Sequence, residues 1–426
     1  MLTTSKIGKI QGRISVPGDK SISHRALMLL AISRGKGRIS GFLRGADCLS
    51  TMACLEQLGL EIEDLGSELV VYGQGLHGLR RPHRALDVGN SGTTMRLLSG
   101  ILAGQKFPAA ITGDHSIQTR PMDRIAIPLR MMGAVIEGKA GRDLAPLLIQ
   151  GRNLQGIDYT LPVASAQVKS AILLAGLYAE GETVVREPKP SRNHTELMLA
   201  ALGAEIESKT CEIRLRSSEL QACDLQVPGD ISSAAFFITP AAAMPGSHLI
   251  VKDVGLNPSR TGIIDVLKDM GAGISLENVT KLGGELRGDV VVRGGRLRGT
   301  VITGEMIPRL IDEIPVLAVV ASQAEGTTTI TGAEELRVKE SDRISVLVQE
   351  LGKLGVDIQE LADGMQIKGP CAIQGAEVHS HGDHRLAMAL AVLGLFSREP
   401  VKVRGSECID VSFPGFEKVL GQIIKY

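Results

Sequence analysis

Five times along this chain an amphipathic stretch ends in the same figure: Leu or Met, then Gly, an apolar residue, any residue, and Ile. The five are Leu58–Ile62, Met132–Ile136, Leu202–Ile206, Met270–Ile274 and Leu354–Ile358. Stretches such as Ile263–Met270 and Ile344–Leu354 precede them, and extended runs such as Leu69–Tyr72 and Cys211–Leu215 follow. The Gly is the residue that stops a helix by turning left-handed, and the Ile opens a strand. The figure recurs about every 70 residues, with a gap of 84 before the last. That period is too long for a solenoid unit and suits a small βαβ-type subdomain. The chain therefore has to be an α/β fold built from repeats.

A second element recurs upstream of the first. Six turns each open a helix whose body is apolar almost all round, and such a helix is buried rather than surface-lying. They are Pro17-Gly18-Asp19 before 21–32, Gly89-Asn90-Ser91-Gly92 before 93–102, and 162–167 before 168–177. The others are Pro228-Gly229-Asp230 before 232–243, 304–314 before 315–321, and His381-Gly382-Asp383 before 384–396. Six units divide most naturally into two lobes of three, with the crossover near Val227-Pro228-Gly229. The sixth unit reads as truncated, ending in Phe413-Pro414-Gly415-Phe416 and a short amphipathic helix. The expected division is one lobe of residues 17–227 and a second of residues 1–16 and 228–426. Hinge strands are expected near 16–18 and 227–229, with a cleft between the lobes where the helix starts converge.

The first of the turns shows what such a cleft could hold. Val16 to Arg25 reads Val-Pro-Gly-Asp-Lys-Ser-Ile-Ser-His-Arg. Asp19 or Ser21 can cap the helix start, which carries free N–H donors and partial positive charge. Lys20, Ser21 and Arg25 add to it, with Ser21 and Arg25 four apart on one face. That suits a doubly charged anion such as a phosphate; an ordinary capped helix with two solvated cations has the same local sequence. The other turns repeat the cations: Arg96, Arg120-Pro121, Lys169, Ser191-Arg192-Asn193-His194, Arg337-Val-Lys339-Glu340-Ser341-Asp342-Arg343 and His381-Gly-Asp383-His384-Arg385. Arg suits bidentate contact with carboxylate or phosphate, and Lys acts as a point charge. The acids are few, Asp312 and Glu313 before Ile314-Pro315, and Glu340. On a helix, Lys339 and Arg343 would share a face with Glu340 three residues before Arg343.

Composition narrows the partner. Lys+Arg and Asp+Glu are 47 each, so no single-sign field points to nucleic acid or a membrane surface. With no Trp, 4 Tyr and 7 Phe, base stacking is excluded as a main recognition mode. Cys48, Cys54, Cys211, Cys223, Cys371 and Cys408 form no zinc-type pair and read as scattered thiols of a reducing compartment. No apolar run is long enough to span a bilayer and no apolar signal segment opens the chain, so a cytoplasmic protein is expected. There is no phosphate-binding P-loop, no nucleophile elbow and no metal motif. What remains is a small-molecule substrate carrying several negative charges.

The ordered set Pro17-Gly-Asp-Lys20-Ser21-Ile-Ser-His-Arg25, Gly89-Asn90-Ser-Gly92-Thr-Thr-Met-Arg96, Arg120-Pro121, Arg337-Val-Lys-Glu-Ser-Asp-Arg343 and Asp383-His-Arg385 resembles the 5-enolpyruvylshikimate-3-phosphate (EPSP) synthase family, over essentially the whole chain. The resemblance implies two similar lobes of an α/β (α+β) fold, each of three βαβαββ units, the enolpyruvyl transferase-like fold. It implies transfer of the enolpyruvyl group of phosphoenolpyruvate to the 5-hydroxyl of shikimate 3-phosphate, with release of phosphate, on the way to chorismate and the aromatic amino acids. No cofactor and no metal are implied, and a monomer is expected.

Residue by residue, the resemblance implies that Lys20 touches both substrates and that Ser21, Arg25, Ser165, Ala166, Gln167, Ser191, Arg192, Asp312 and Lys339 serve shikimate 3-phosphate, on the 17–227 side for the most part. Asn90, Gly92, Arg120, Gln167, Glu340, Arg343, His384 and Arg385 are implied for phosphoenolpyruvate. Asp312 would take the hydroxyl proton and Glu340 would handle the methylene proton, assisted by Lys20, an acid/base pair among cations that stabilise the carboxylate and the departing phosphate.

Departures from the commoner pattern are Ala166 within Ser-Ala-Gln and Val411-Ser412 where many members carry a Lys before Phe-Pro. The register of Asp312-Glu313-Ile-Pro also differs, leaving either acid as the one in the site. These features are similar to the class II branch, and with Gly92 retained, glyphosate sensitivity stays open. Two rivals remain. A UDP-N-acetylglucosamine enolpyruvyl transferase would carry a Cys in the loop 113–120, where none occurs. A non-catalytic two-lobed polyanion binder would have no use for Asp312 and Glu340.

Overall fold

A computed structural model describes residues 1–425. The chain divides into two compact units. One comprises Gly18–Val227 with Lys281–Glu285, and the other Met1–Pro17, Pro228–Thr280 and Leu286–Tyr426. Each has its own apolar core.

The described residues form six small sheets, three in each unit, and one strand order runs through them. The segment 86–150 shows it without complication. Strand Leu86–Asp87 lies parallel to Pro108–Thr112, Pro108–Thr112 antiparallel to Leu147–Gln150, and Leu147–Gln150 antiparallel to Val135–Glu137. Helix Gly92–Ala103 makes the first crossover and helix Asp123–Met131 the second. A parallel pair needs such a crossover, and a helix supplies it. Asp158–Thr160, Glu182–Arg186, Ile206–Lys209 and Glu212–Arg216 repeat the pattern, as do Val301–Ile302, Gly326–Ile330, Asp357–Leu361 and Gly364–Gly369. This is βαβαββ.

In the other three sheets a strand comes from a distant part of the chain. Strands Leu220–Gln221 and Leu225–Gln226 lie parallel to Ser33–Ser40 and stand where the first strand of that sheet belongs. Strand Lys9–Ser15 lies parallel to His248–Gly255. The sixth unit, which reads as truncated, is completed by the N-terminus: Leu2–Thr4 pairs antiparallel with Val401–Arg404, which lies parallel to Glu377–His379. A periodicity search along the chain cannot see a strand supplied from 400 residues away.

The recurrent glycines do what their setting requires. Gly59, Gly133, Gly203, Gly271 and Gly355 all have φ between 81° and 109° and directly follow helix ends. The six apolar helices are buried along nearly their whole length, Ile314–Ala321 at every residue. Five of them are capped by a side chain: Asp19, Ser91, Ser165, Asp230 and Asp383 each accept a backbone N–H of the first turn. The helix Ile314–Ala321 has no such cap and instead carries Pro315 in its first turn, where a missing N–H costs nothing. At the start of helix Lys20–Ala31, the cap is Asp19, which accepts from Ile22 at 2.8 Å.

One local expectation is corrected. Lys339, Glu340 and Arg343 do not share a helix. A 3₁₀ turn covers Glu334–Val338, the next helix spans Arg343–Lys353, and 339–342 is the bend between them. Asp342 caps the second helix through Ser345 N–H, stopping it from extending backward.

Candidate active site

The helix starts carry the candidate residues. In the unit of Gly18–Val227, helix Lys20–Ala31 buries Arg25 completely enough that its charge needs partners. Nε donates to Thr195 Oγ1 at 2.7 Å, Nη2 to Ser170 Oγ at 2.9 Å and Nη1 to the Ser21 carbonyl at 3.0 Å. Burial pulls the guanidinium down to about 10, with Glu196 and Asp19 opposing, so Arg25 stays charged at neutral pH. Lys20 pairs with Asp47, the second residue of helix Ala46–Gln57.

At the next helix start two guanidinium groups converge on a glycine. A Cβ added at Gly92 would stand 3.0 Å from Arg96 Nη1 and 3.4 Å from Arg120 Nη1. Arg120 Nη2 donates to Asn90 Oδ1 at 2.9 Å, and Asn90 Nδ2 donates to Asp114 Oδ2 at 2.7 Å. Arg96 Nη1 donates to Gln167 Oε1 at 2.6 Å, and Gln167 Nε2 to Thr93 Oγ1 at 2.9 Å. A 12-residue helix N-terminus, a missing side chain and two arginines make an anion cradle. Asn90, Gly92, Arg120 and Gln167 are therefore brought together here, joined by Arg96 and Thr93.

Ser165 caps helix Ala166–Gly176 at its own start, with Ala166 the first helical residue. Ser191 donates its hydroxyl to Glu187, and Arg192 follows in the same half-buried loop. Lys169, one of the cations counted at the turns, is not available to a ligand. It is 1% exposed and sits 2.7 Å from both Glu187 and Glu196. Those acids lie 18 and 27 residues further along the chain, so nothing near Lys169 in the sequence reveals them.

In the other unit the centre is Arg343, 1% exposed. Nε donates to Asp383 Oδ2 at 2.7 Å, and Nη2 to Glu340 Oε2 at 2.7 Å and Asp383 Oδ1 at 3.3 Å. Nη1 lies 3.6 Å from Asp312 Oδ1 and has no hydrogen-bond partner although it is buried. Burial works against the charge, but Glu340, Asp383 and Asp312 outweigh it and hold the guanidinium above its ordinary pKa. Arg385 Nε is also 3.6 Å from Asp312 Oδ1. His384 opens helix His384–Gly394 and is buried, between the cap Asp383 and Arg385.

The two neighbouring acids have different surroundings. Glu313 is 1% exposed and accepts the hydroxyl of Ser232, which itself accepts from Arg260 Nη2 at 2.6 Å. Asp312 is the one beside Arg343 and Arg385, with its side chain 16% exposed. Lys339 is half-buried in the bend; the surrounding protein pushes its ammonium down, with Asp312 and Glu335 opposing. Asp47, Asp383 and Thr195 were not among the sequence candidates for the site. Asp383 stood inside the Asp-His-Arg motif and could have been read as the partner of a buried Arg, while Asp47 and Thr195 carry no local signal.

Each unit thus presents cations at helix starts, and one of them also presents three carboxylates around a single guanidinium. The family model of EPSP synthase (3-phosphoshikimate 1-carboxyvinyltransferase) matches residues 4–420. A 3-phosphoshikimate 1-carboxyvinyltransferase of Alkaliphilus metalliredigens is 60% identical over 425 residues, covering 100% of both chains. One of Bacillus subtilis is 49% identical over 422 residues, covering 99% of each. A 2.37 Å structure of EPSP synthase from Acinetobacter baumannii superposes with a TM-score of 0.90 at 44% identity, covering 99% of this chain and 98% of that one. The enolpyruvyl transferase NikO of Streptomyces tendae shares the fold, at a TM-score of 0.80, 18% identity, and coverage of 99% and 96%. With sequence and fold matching from end to end, the chain belongs to the EPSP synthase family.

Proposed function

We propose that this enzyme transfers the enolpyruvyl group of phosphoenolpyruvate to the 5-hydroxyl of shikimate 3-phosphate, giving EPSP and phosphate. The observation that carries the assignment of residues is Arg343. It is a buried guanidinium held by three carboxylates, with one nitrogen lacking a hydrogen-bond acceptor. A buried donor without an acceptor is costly, and a carboxylate or phosphate of the substrate relieves it.

In this reading Lys20, Ser21, Arg25, Ser165, Ala166, Gln167, Ser191, Arg192 and Lys339 hold shikimate 3-phosphate. Lys20, Asn90, Gly92, Arg120, Gln167, Arg343, His384 and Arg385 hold phosphoenolpyruvate. Asp312 removes the proton of the 5-hydroxyl as its oxygen bonds to C2 of phosphoenolpyruvate, and Glu340 delivers a proton to the methylene carbon. The tetrahedral intermediate then loses a methyl proton to Glu340 while the C2–O bond to phosphate breaks. Lys20 and the arginines balance the charge that develops on the departing phosphate. The departing phosphate carries away the hydroxyl proton held by Asp312, so both acids return to their starting states and every atom is accounted for without a cofactor. A cytoplasmic monomer belongs to the same proposal; among the described residues no helix is long and apolar enough to cross a membrane, and sedimentation of the purified chain tests the monomer.

The test is phosphate release with both substrates present. Release equal in amount to the EPSP formed is the expected result. Binding of both substrates without release would overturn the assignment.

A further inference from the structure

His24 stands between Lys20, Ser21 and Arg25 in sequence, yet the reaction has no task for it. The ring is 0% exposed. Its Nδ1 lies 2.7 Å from Thr51 Oγ1, Thr51 Oγ1 lies 2.6 Å from Thr94 Oγ1, and the Thr94 hydroxyl donates to Ser91 Oγ at 2.7 Å. Ser91 Oγ also accepts the Thr94 N–H at 3.1 Å, the capping bond of helix Gly92–Ala103. Each of the four residues is fully buried.

One proton per hydroxyl makes the chain run one way. The Thr94 proton goes to Ser91, so the contact between the two threonines needs the Thr51 proton. The Asp47 carbonyl is a second acceptor for that proton, at 3.3 Å against 2.6 Å to Thr94 Oγ1; with the proton on either, Thr51 has none left for the ring, and the contact at Nδ1 needs a proton on Nδ1. The other ring nitrogen agrees independently. Nε2 is buried with no hydrogen-bond partner, and a buried N–H without a partner is rarer than a bare acceptor without one. Burial and the charges of Lys20 and Arg25, opposed by Asp19, hold the ring well below its ordinary pKa. The middle of the chain is helix Ala46–Gln57, which carries Thr51 and also Asp47, the partner of Lys20.

We propose that His24 is a positioning residue: its Nδ1–H starts a hydrogen-bond chain through Thr51 and Thr94 to Ser91, and that chain sets the capped helix start at Gly92 for phosphoenolpyruvate. The proposal rests on the reading that the Gly92 cradle holds that substrate. It makes the side chain at the far end of that hydrogen-bond chain responsible for affinity at one substrate only.

Two measurements test it. Nitrogen-15 NMR of the wild-type protein at neutral pH should show a neutral His24 protonated at Nδ1. A ring protonated at Nε2 would overturn the chain whether or not the enzyme turns over these substrates, so this result is separate from the assigned function. In steady-state kinetics, His24→Leu and the isosteric Thr94→Val should each raise KM for phosphoenolpyruvate about tenfold while KM for shikimate 3-phosphate moves less than about twofold. The double variant should be no worse than the poorer single, because both break one chain. His24→Asn, whose amide can place an N–H where Nδ1–H stands, should recover most of the loss. A lowered melting temperature with both KM values unchanged, or an equal rise in both, would overturn the positioning role. Should His24→Leu fail to fold, Thr94→Val carries the kinetic test.

Discussion

At the residue scale, the chemistry turns on which groups are charged and which protons they can move. Glu340 is held by Arg343 at 2.7 Å on a side chain 28% exposed, open enough to meet substrate. Glu340→Gln keeps the shape and removes the proton, so kcat should fall by about 10² or more while both KM values stay within a few-fold. Unchanged turnover in a steady-state assay would remove Glu340 from the chemistry. Lys339 gives a pH signature. Its ammonium titrates below the ordinary lysine value, burial being the main cause, and only the charged form attracts an anionic substrate. As pH rises through that lowered pKa, affinity for shikimate 3-phosphate is lost, so the alkaline limb of kcat/KM should fall below the usual ~10.4 of a lysine. Lys339→Arg should push the limb to higher pH, and pH–rate profiles of the two proteins check it. The cations at the turns were legible in the sequence. Their partners were not legible. Lys169 looks locally like Lys20, yet two acids from elsewhere consume it, and the Asp47 that pairs with Lys20 lies in a different helix.

At the scale of elements, neighbouring acids on one turn have different duties. Glu313 points into the core at Ser232, and Asp312 stays beside Arg343 and Arg385. Glu313→Ala should cost roughly 1.5–3 kcal/mol of stability by leaving Ser232 and its neighbours poorly satisfied. Asp312→Asn should leave the melting temperature nearly unchanged and suppress turnover. Calorimetry and an activity assay on the pair separate the two roles. Helix packing makes a second prediction. Gly100 in helix Gly92–Ala103 passes so close to helix Ala166–Gly176 that a Cβ would stand 2.2 Å from the Ala171 carbonyl oxygen. Gly100→Ala should destabilise by about 1–3 kcal/mol, read as a lower melting temperature. The helix stops were legible because a left-handed Gly after an amphipathic run is a local device. The bend at 339–342 was not, because spacing alone cannot tell one helix from two that meet at a cap such as Asp342.

At the scale of the whole molecule, the repeat fixes the architecture, and the chain path departs from it in one respect. Residues 18–227 contain every strand of their three sheets, while the other unit takes Leu2–Thr4 and Lys9–Ser15 from the N-terminus. A fragment of residues 18–227 should therefore unfold cooperatively on its own. A fragment of residues 228–426 should not, until a peptide of residues 1–17 is added; circular dichroism melts of the three samples decide it. Six helix starts and five glycine stops in sequence were enough to count the units, because each is written in a few adjacent residues. The loan of the N-terminal strands was not, because hydrogen bonds between residues hundreds of positions apart leave no periodic trace.

That loan also sets an order of events at the ribosome. The strand Lys9–Ser15 carries Ile10 and Ile14, both buried in the finished protein, and its partner His248–Gly255 is made some 230 residues later. At about 5–20 residues per second, these residues wait roughly 10–50 s with their apolar face and their backbone donors unmatched, while residues 18–227 can already be assembling behind them. A segment synthesised before residues 18–227 is thus among the last to find its place, and for that interval its apolar face is open to a chaperone.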